Sequence, residues 1–384
     1  MKNNKDNFFT MQLPDQHIIL HLSLLNGIGP AKVAHMMHAK PSDVAWSVLY
    51  TLRNVSDIMH MFGVTEHIAK KIINGLQDVT LLEQELALIK KHQIQWATIA
   101  DDTYPTLLRH INAPPTVVYW LGELPHMERA IAMVGSRNAN YYGQRMVNVL
   151  VPALVEQQWA IVSGGAIGLD TMAHRAALQA KGITIAVLGS GLLQQYPTSN
   201  KRLFAEIIAT GGTVLSSFPL NETAMPGNFP ARNRIIAGLS KGCVVVQAAI
   251  QSGARITARF ALDQGRDVFA VPGSVDDPLS AGCHALIQEG AKLITGPADI
   301  LAEYEELNQG PVRAAGQTVT YQKDLAYVDD SVGGRIVQAC AQPQSTDDLV
   351  QTTGVNLTEV QEKLFELQLA GVVEQDFTGM WIAR

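Results

Sequence analysis

The chain has 384 residues, 47% hydrophobic and 17% charged, which excludes a disordered protein and predicts two or three globular domains. Its net charge is -6, yet residues 131–296 hold 13 Lys and Arg against 9 Asp and Glu, and residues 297–384 hold 5 against 14, so a polyanion is expected to meet the middle of the chain. The polar opening MKNNKDNFFT lacks the apolar core of a signal peptide, no apolar run reaches the roughly 20 residues that cross a bilayer, and Cys243, Cys283 and Cys340 lack metal-ligand spacing; a cytoplasmic protein with buried free thiols and no membrane contact is expected.

Residues 16–100 read as helical throughout. Within them LLNGIGPAKVAHMM (24–37) has the order helix, Gly-Ile-Gly turn, helix, as in a helix-hairpin-helix, and MFGVTEHIAKKI (61–72) is a looser copy. Glycines in such a turn let backbone N–H groups approach a phosphate, but they also serve simply to turn a corner, and both readings stand. Met36, Met37, Met59 and Met61 read as core filling. Tyr104-Pro105 and Ala113-Pro114-Pro115 mark a loop-rich connection, and TVVYWLG (116–122) reads as a strand.

From residue 130 short apolar runs alternate with helix-length segments. The runs are AIAMVG (130–135), AIVSGG (160–165), ITIAVLG (183–189), GTVLSS (212–217), GCVVVQA (242–248), DVFAVPG (267–273) and AKLIT (291–295). Their continuous Val and Ile content predicts a mostly parallel sheet covered by helices on both faces, an α/β fold of the Rossmann-like doubly wound kind. Such folds bind ligands beyond the carboxyl ends of the strands. Residues 309–330 read as a linker. Residues 331–384 read as three helices and a short hairpin, in the order of a winged helix. Its third helix (356–371) carries Glu359, Glu362 and Glu366 against Lys363, which suits protein contact or packing better than groove reading. The expected division is a small all-α domain over 1–100, the Rossmann-like domain over 101–308, the linker, and a winged-helix-like domain over 331–384.

Functional residue types gather at the predicted strand ends. Val134-Gly135-Ser136-Arg137-Asn138 combines a glycine exit, a hydroxyl and a forked cation, a set that suits a phosphate oxygen near a helix N-terminus. The dinucleotide spacing Gly-x-Gly-x-x-Gly is missing there. Ser163-Gly164-Gly165-Ala166-Ile167-Gly168-Leu169-Asp170 follows the second run, and Gly189-Ser190-Gly191 with Tyr196-Pro197 the third. Phe229-Pro230-Ala231-Arg232-Asn233-Arg234 precedes the fifth, with Gln251-Ser252-Gly253 after it and Val271-Pro272-Gly273 ending the sixth. Asp170 and His174, four apart, are expected to be a helix cap and a structural histidine rather than a catalytic pair. Asp276-Asp277 reads as a solvated loop, not a metal site.

In this ordered set of motifs, over nearly all of residues 100–296, the chain resembles the DprA/Smf family. The resemblance implies a protein without enzymatic activity or cofactor that binds single-stranded DNA, dimerises through its Rossmann-like domain, and loads the recombinase RecA onto incoming DNA in natural transformation. It also implies that Gly135, Ser136, Arg137, Ser163, Gly164, Arg232 and Asn233 line the strand-binding pocket. Asn138, Arg234, Ser252 and Gly253 are expected beside them, and Lys201 at a second phosphate. The family usually has arginine where Ile167 stands and glutamate where Ser217 and Gln247 stand, so the mouth of the pocket is expected to have lost one cation and two anions.

Related Rossmann-like folds include phosphoribohydrolases, which makes a nucleotide-cleaving enzyme the rival reading. Such an enzyme needs carboxylates to stabilise a sugar cation and activate water. Ser217 and Gln247 occupy two promising places instead, and the glycine-rich Pro-Gly-Gly-x-Gly-Thr loop is missing. A Gly-x-x-x-x-Gly-Lys-Ser/Thr loop is missing as well, which argues against a nucleotide-driven motor.

Overall fold

A computed structural model describes residues 13–125, 128–304, 332–342, 344–369, 372–375 and 380–383. The chain divides near residue 310 into two compact units. The first opens with helices α1 (Asp15–Leu24), α2 (Pro30–Ala39), α3 (Val48–Thr51), α4 (Val55–Phe62), α5 (Glu66–Leu76) and α6 (Thr80–His92). Ile18, Ile19, Val33, Met36, Phe62 and Ile72 close a core among them. Gly27 at φ +81° and Gly63 at φ +63° make the two turns that the hairpin pattern anticipates, a left-handed conformation that glycine adopts without steric cost.

The next elements are β1 (Gln95–Thr98), α7 (Thr106–Arg109) and β2 (Val117–Gly122). Residues 16–100 are therefore not helical throughout. Gln95 to Thr98 pair antiparallel with Trp120 to Val117, and Ala97 and Thr98 are buried. A four-residue edge strand has too little period to announce itself, and its partner supplies the ladder.

Strand and helix then alternate through β3 (Ala130–Val134), α8 (Tyr141–Glu156), β4 (Ala160–Ser163), α9 (Leu169–Gln179), β5 (Thr184–Val187), α10 (Lys201–Ala209), β6 (Thr213–Ser216), α11 (Asn228–Gly238), β7 (Gly242–Val245), α12 (Gly253–Asp263), β8 (Asp267–Ala270), α13 (Ala281–Gln288), β9 (Lys292–Leu293) and α14 (Pro297–Leu301). The nine strands lie in the order β1-β2-β6-β5-β4-β3-β7-β8-β9. Pairing is parallel from β6 to β9 across the sheet and antiparallel at β1-β2-β6. This is the expected mostly parallel, Rossmann-like sheet.

Alternation along each strand feeds a core on either face. Ala130, Ala132 and Val134 join Ile235 and Ile236 of α11, Ala258 of α12 and Leu286 of α13. Ile131 and Met133 join Val147, Leu150 and Val151 of α8 and Ala173 of α9. A further cluster sets Leu20, Leu82 and Ile89 of the helical segment against Val117, Tyr119 and Phe204, so that segment packs directly on the sheet layer. Glu85 of α6 is buried at this junction, where it accepts a hydrogen bond from Leu220 N at 2.9 Å.

In the second unit α15 (Val332–Ala339), α16 (Thr346–Thr353) and α17 (Leu357–Leu369) are followed by the antiparallel pair β10 (Val373–Gln375) and β11 (Trp381–Ala383). Ile336, Val337, Leu349, Val360, Leu364 and Trp381 form its core. Ser345 and Asp348 close a capping box on α16, and Gly354 ends that helix in the left-handed region. The segment expected as a linker, 309–330, lies outside the described residues, as does the turn of the hairpin. Among the described residues no helix is long and apolar enough to cross a membrane. Cys243, Cys283 and Cys340 are free and buried, as expected, and burial pushes their thiols up to about 12, 12 and 11.

Candidate functional site

Strand β3 lies between β4 and β7, so the order of the parallel strands reverses beside it. Loops leaving the two sides of such a switch point diverge and open a crevice at the carboxyl edge. A cavity of about 410 Å³ occupies this place. Gly135, Ser136, Arg137 and Asn138 after β3 line one side, Arg232 and Asn233 of α11 another, and Ser252 and Gly253 at the start of α12 a third.

The loops cross tightly. Ser136 N donates to Gln247 O at 2.8 Å, and Leu169 N donates to Ser136 O at 3.1 Å. A Cβ on Gly168, at φ +81°, would stand 2.3 Å from Arg137 O, so this position tolerates no side chain. The Ser136 amide is thus consumed inside the protein rather than offered to a ligand. Ser136 Oγ likewise accepts from Asn138 N at 3.1 Å.

Arg232 and Arg137 have different environments. Arg232 is 5% exposed; its Nη1 donates to the Gly164 and Val187 carbonyls, and its Nε donates to Asn233 Oδ1 at 3.2 Å. It forms the floor of the cavity. Asp170, also buried and also lining the cavity, accepts from Ala166 N at 3.3 Å. Burial pushes the Asp170 carboxyl up against the opposing pull of Arg232, and burial draws Arg232 down to about 10, which leaves it cationic at neutral pH. Arg137 is exposed at the rim, its guanidinium 5.5 Å from the centre of the Phe229 ring.

Four expected site residues fall outside the lining. Ser163 is fully buried, and its hydroxyl donates to Met133 O at 2.7 Å. Gly164 lies beneath Arg232, where an added Cβ would come within 2.4 Å of Nη1. Arg234 turns away to donate to the Ala113 carbonyl. Lys201 is exposed at the start of α10.

The expected charge changes at the mouth are also corrected. Gln247 is fully buried, accepting from Asn140 N at 3.1 Å and donating to Asn140 Oδ1 at 2.9 Å, and so it secures the N-cap of α8. Ser217 is half-buried after β6, Ile167 is exposed, and neither lines the cavity.

Asp170 does not cap α9, because Gly168 holds that position. Its carboxylate instead ties down the loop before the helix. His174 is structural as expected. Thr184 Oγ1 donates to Ile161 O at 2.8 Å, so His174 Nδ1–H is the donor across the 2.7 Å to that hydroxyl. Burial, helped by Arg232, draws this imidazole down to about 3 and keeps it neutral. Among the described residues no cluster of His, Cys, Asp and Glu has a metal-binding arrangement.

The sequence places Phe229 in a strand-end motif but gives it no role in the pocket. It is half-buried in the first turn of α11, lines the cavity under Arg137, and lies 5.8 Å from the ring of Tyr196. The available signal was an aromatic residue three positions ahead of an Arg-Asn-Arg run at a helix start.

Residues 95–305 match the family described as DNA recombination-mediator protein A. Protein Smf of Escherichia coli is 35% identical over 356 residues, covering 92% of this chain and 91% of its own length. The X-ray structure of DNA processing protein A from Streptococcus pneumoniae superposes with a TM-score of 0.64 at 36% identity, over 76% of this chain and 99% of that one. DNA processing protein A from Helicobacter pylori, solved to explain its single-stranded-DNA binding mode, superposes with a TM-score of 0.50 at 27% identity, over 55% and 96%. With its β1 edge strand at the start of the matched region and the crevice motifs inside it, the chain belongs to the DNA recombination-mediator protein A family, the DprA/Smf proteins.

Proposed function

We propose that this protein binds single-stranded DNA in the β3–β7 crevice, protects incoming DNA, and loads RecA onto it during natural transformation and recombination. The observation that carries the reading is Arg137, an exposed guanidinium over the Phe229 ring at the rim of a cavity whose floor is the buried cation Arg232. A forked cation holds a phosphate in two directions, and the aromatic ring offers a base a stacking face. The single-stranded-DNA binding of the Helicobacter pylori relative supports it.

A role without catalysis fits the chemistry. Asp170 is the one carboxylate among the lining residues, and it is engaged by Ala166 N beside Arg232. A phosphoribohydrolase would want a carboxylate free to take a proton. Ile250, Ile256 and Leu262 are about half exposed in a groove adjoining the crevice, an apolar surface suited to a protein partner. We assign cytoplasmic location, homodimer formation and the four-part division with a linker over 309–330 to the same reading, with the helical part ending before β1 because Gln95–Thr98 joins the sheet. Three helices followed by a two-stranded sheet fit a winged helix in the second unit, with the acidic α17 turned to protein contact rather than DNA.

The test is a salt titration of single-stranded-DNA binding by the full chain and by a variant ending at residue 310. Log affinity is expected to fall with log salt at roughly -0.7 per phosphate neutralised, equally in both proteins or with slightly tighter binding in the shorter one. Binding that disappears with the acidic unit, or that ignores salt, refutes the crevice as the phosphate site.

A further inference from the structure

We infer that Tyr196 extends the crevice into a base-stacking step, so that the protein grips a strand by its nucleobases as well as its phosphates. The inference rests on the single-strand reading above. Tyr196 is 49% exposed, and its ring stands 5.8 Å from that of Phe229 at an interplanar angle of 52°. Phe229 carries the Arg137 guanidinium 5.5 Å from its centre. Phe229 thus has a guanidinium and a phenol as ring neighbours, and Tyr196 stands outside the cavity lining. The tilt prevents the two rings from covering each other, and half of Tyr196 remains open to a planar partner.

The segment that carries the ring is fixed. Asn200, buried four residues later, donates to Gly165 O at 2.9 Å and to Thr171 Oγ1 at 2.8 Å, which ties this turn to the loop after β4 and to α9. A ring held in place loses little freedom when a base settles on it. Directly after Asn200, α10 begins with Lys201 and Arg202, both exposed. A strand whose base rests on Tyr196 would pass its backbone toward these two cations. Lys201 lies outside the cavity lining, and this path gives it a phosphate to meet. Every base has a π face, so the step tolerates sequence; a duplex hides those faces between its own base pairs, so the step favours single strands.

The test uses the full chain, a short thymidine oligonucleotide, and an abasic strand of the same length and charge. The parent is expected to bind the thymidine strand about tenfold more tightly than the abasic one. Tyr196→Ala should lose about that factor on the thymidine strand, lose nothing on the abasic strand, and keep the parent's salt slope. Tyr196→Phe should retain parental affinity, because the ring and not the hydroxyl does the stacking. Equal loss on both strands, or parental affinity in Tyr196→Ala, overturns the inference. If the parent itself holds the two strands equally, the stacking step falls while the phosphate crevice stands. If the parent binds neither strand, both readings fall.

Discussion

The helical hairpin and the crevice both lead a glycine-rich turn into a helix N-terminus beside cations, but the turns are built for different ends. At Gly27-Ile28-Gly29, Ile28 is buried in the helical core, Lys32 Nζ donates back to Gly27 O at 2.6 Å, and Lys71 Nζ lies 2.7 Å from where a Gly27 Cβ would be. The glycine there satisfies the geometry of a corner, and one cation is already held by the turn itself. At the crevice Gly168 allows the loop after β4 to cross the loop after β3, with Arg137 O 2.3 Å from its missing Cβ. The crossing leaves the Arg137 guanidinium outside, over Phe229. A glycine run announces close approach, and the surroundings decide whether the approaching group is protein or ligand.

The largest expected effect lies under the crevice. Arg232→Ala removes the cation beside buried Asp170 and strands the Gly164 and Val187 carbonyls, so we expect a stability loss of about 3–5 kcal/mol in urea unfolding. Adding Asp170→Asn should restore part of that loss. Parental stability in Arg232→Ala would mean that the floor is not held by this group. Its loss of DNA binding would then report on the ligand and not on the fold.

A smaller but cleaner effect belongs to the rim. Arg137 is exposed and supports no buried carbonyl, so Arg137→Ala should unfold like the parent while binding single-stranded DNA more weakly by about 1.5–3 kcal/mol. Its salt slope should shrink by roughly 0.7 for the phosphate released. A folded Arg137→Ala that binds like the parent would shift the ligand away from this rim.

The smallest effect is expected at the hairpin. Lys32→Ala should change single-stranded-DNA affinity by less than about 0.5 kcal/mol, the ordinary range for a surface substitution. A loss comparable to that of Arg137→Ala would make the hairpin a second phosphate site and erase the contrast between the two turns.

Much of the molecule can be read from the chain. Each apolar run from residue 130 onward forms a strand; the runs of β3 to β8 are four or five mostly buried residues, which suit a sheet covered on both faces, whereas the last run gives only the exposed two-residue edge strand β9. The position of the crevice follows from the strand order, and Gly135 to Asn138, Asn233, Ser252 and Gly253 line it as expected. Strand β1 was hidden, since Gln95-Trp96-Ala97-Thr98 becomes a strand only against β2. The role of Phe229 was hidden too, because an aromatic residue at a helix start is as often core as contact surface.

Composition and pattern alone carry the alternation of strands and helices, the buried thiols and the concentration of Gly, Ser, Arg and Asn at the strand ends. They do not carry the fate of each cation. Arg232 and Arg234 are two residues apart on α11, and positions so spaced leave a helix in nearly opposite directions. One therefore becomes the cavity floor while the other reaches Ala113. Arg137, on a loop, remains at the rim only because the loops after β4 and β7 hold its backbone there. Which guanidinium meets a ligand depends on which carbonyls the fold brings within reach of the others, and that is set by contacts between segments distant in sequence.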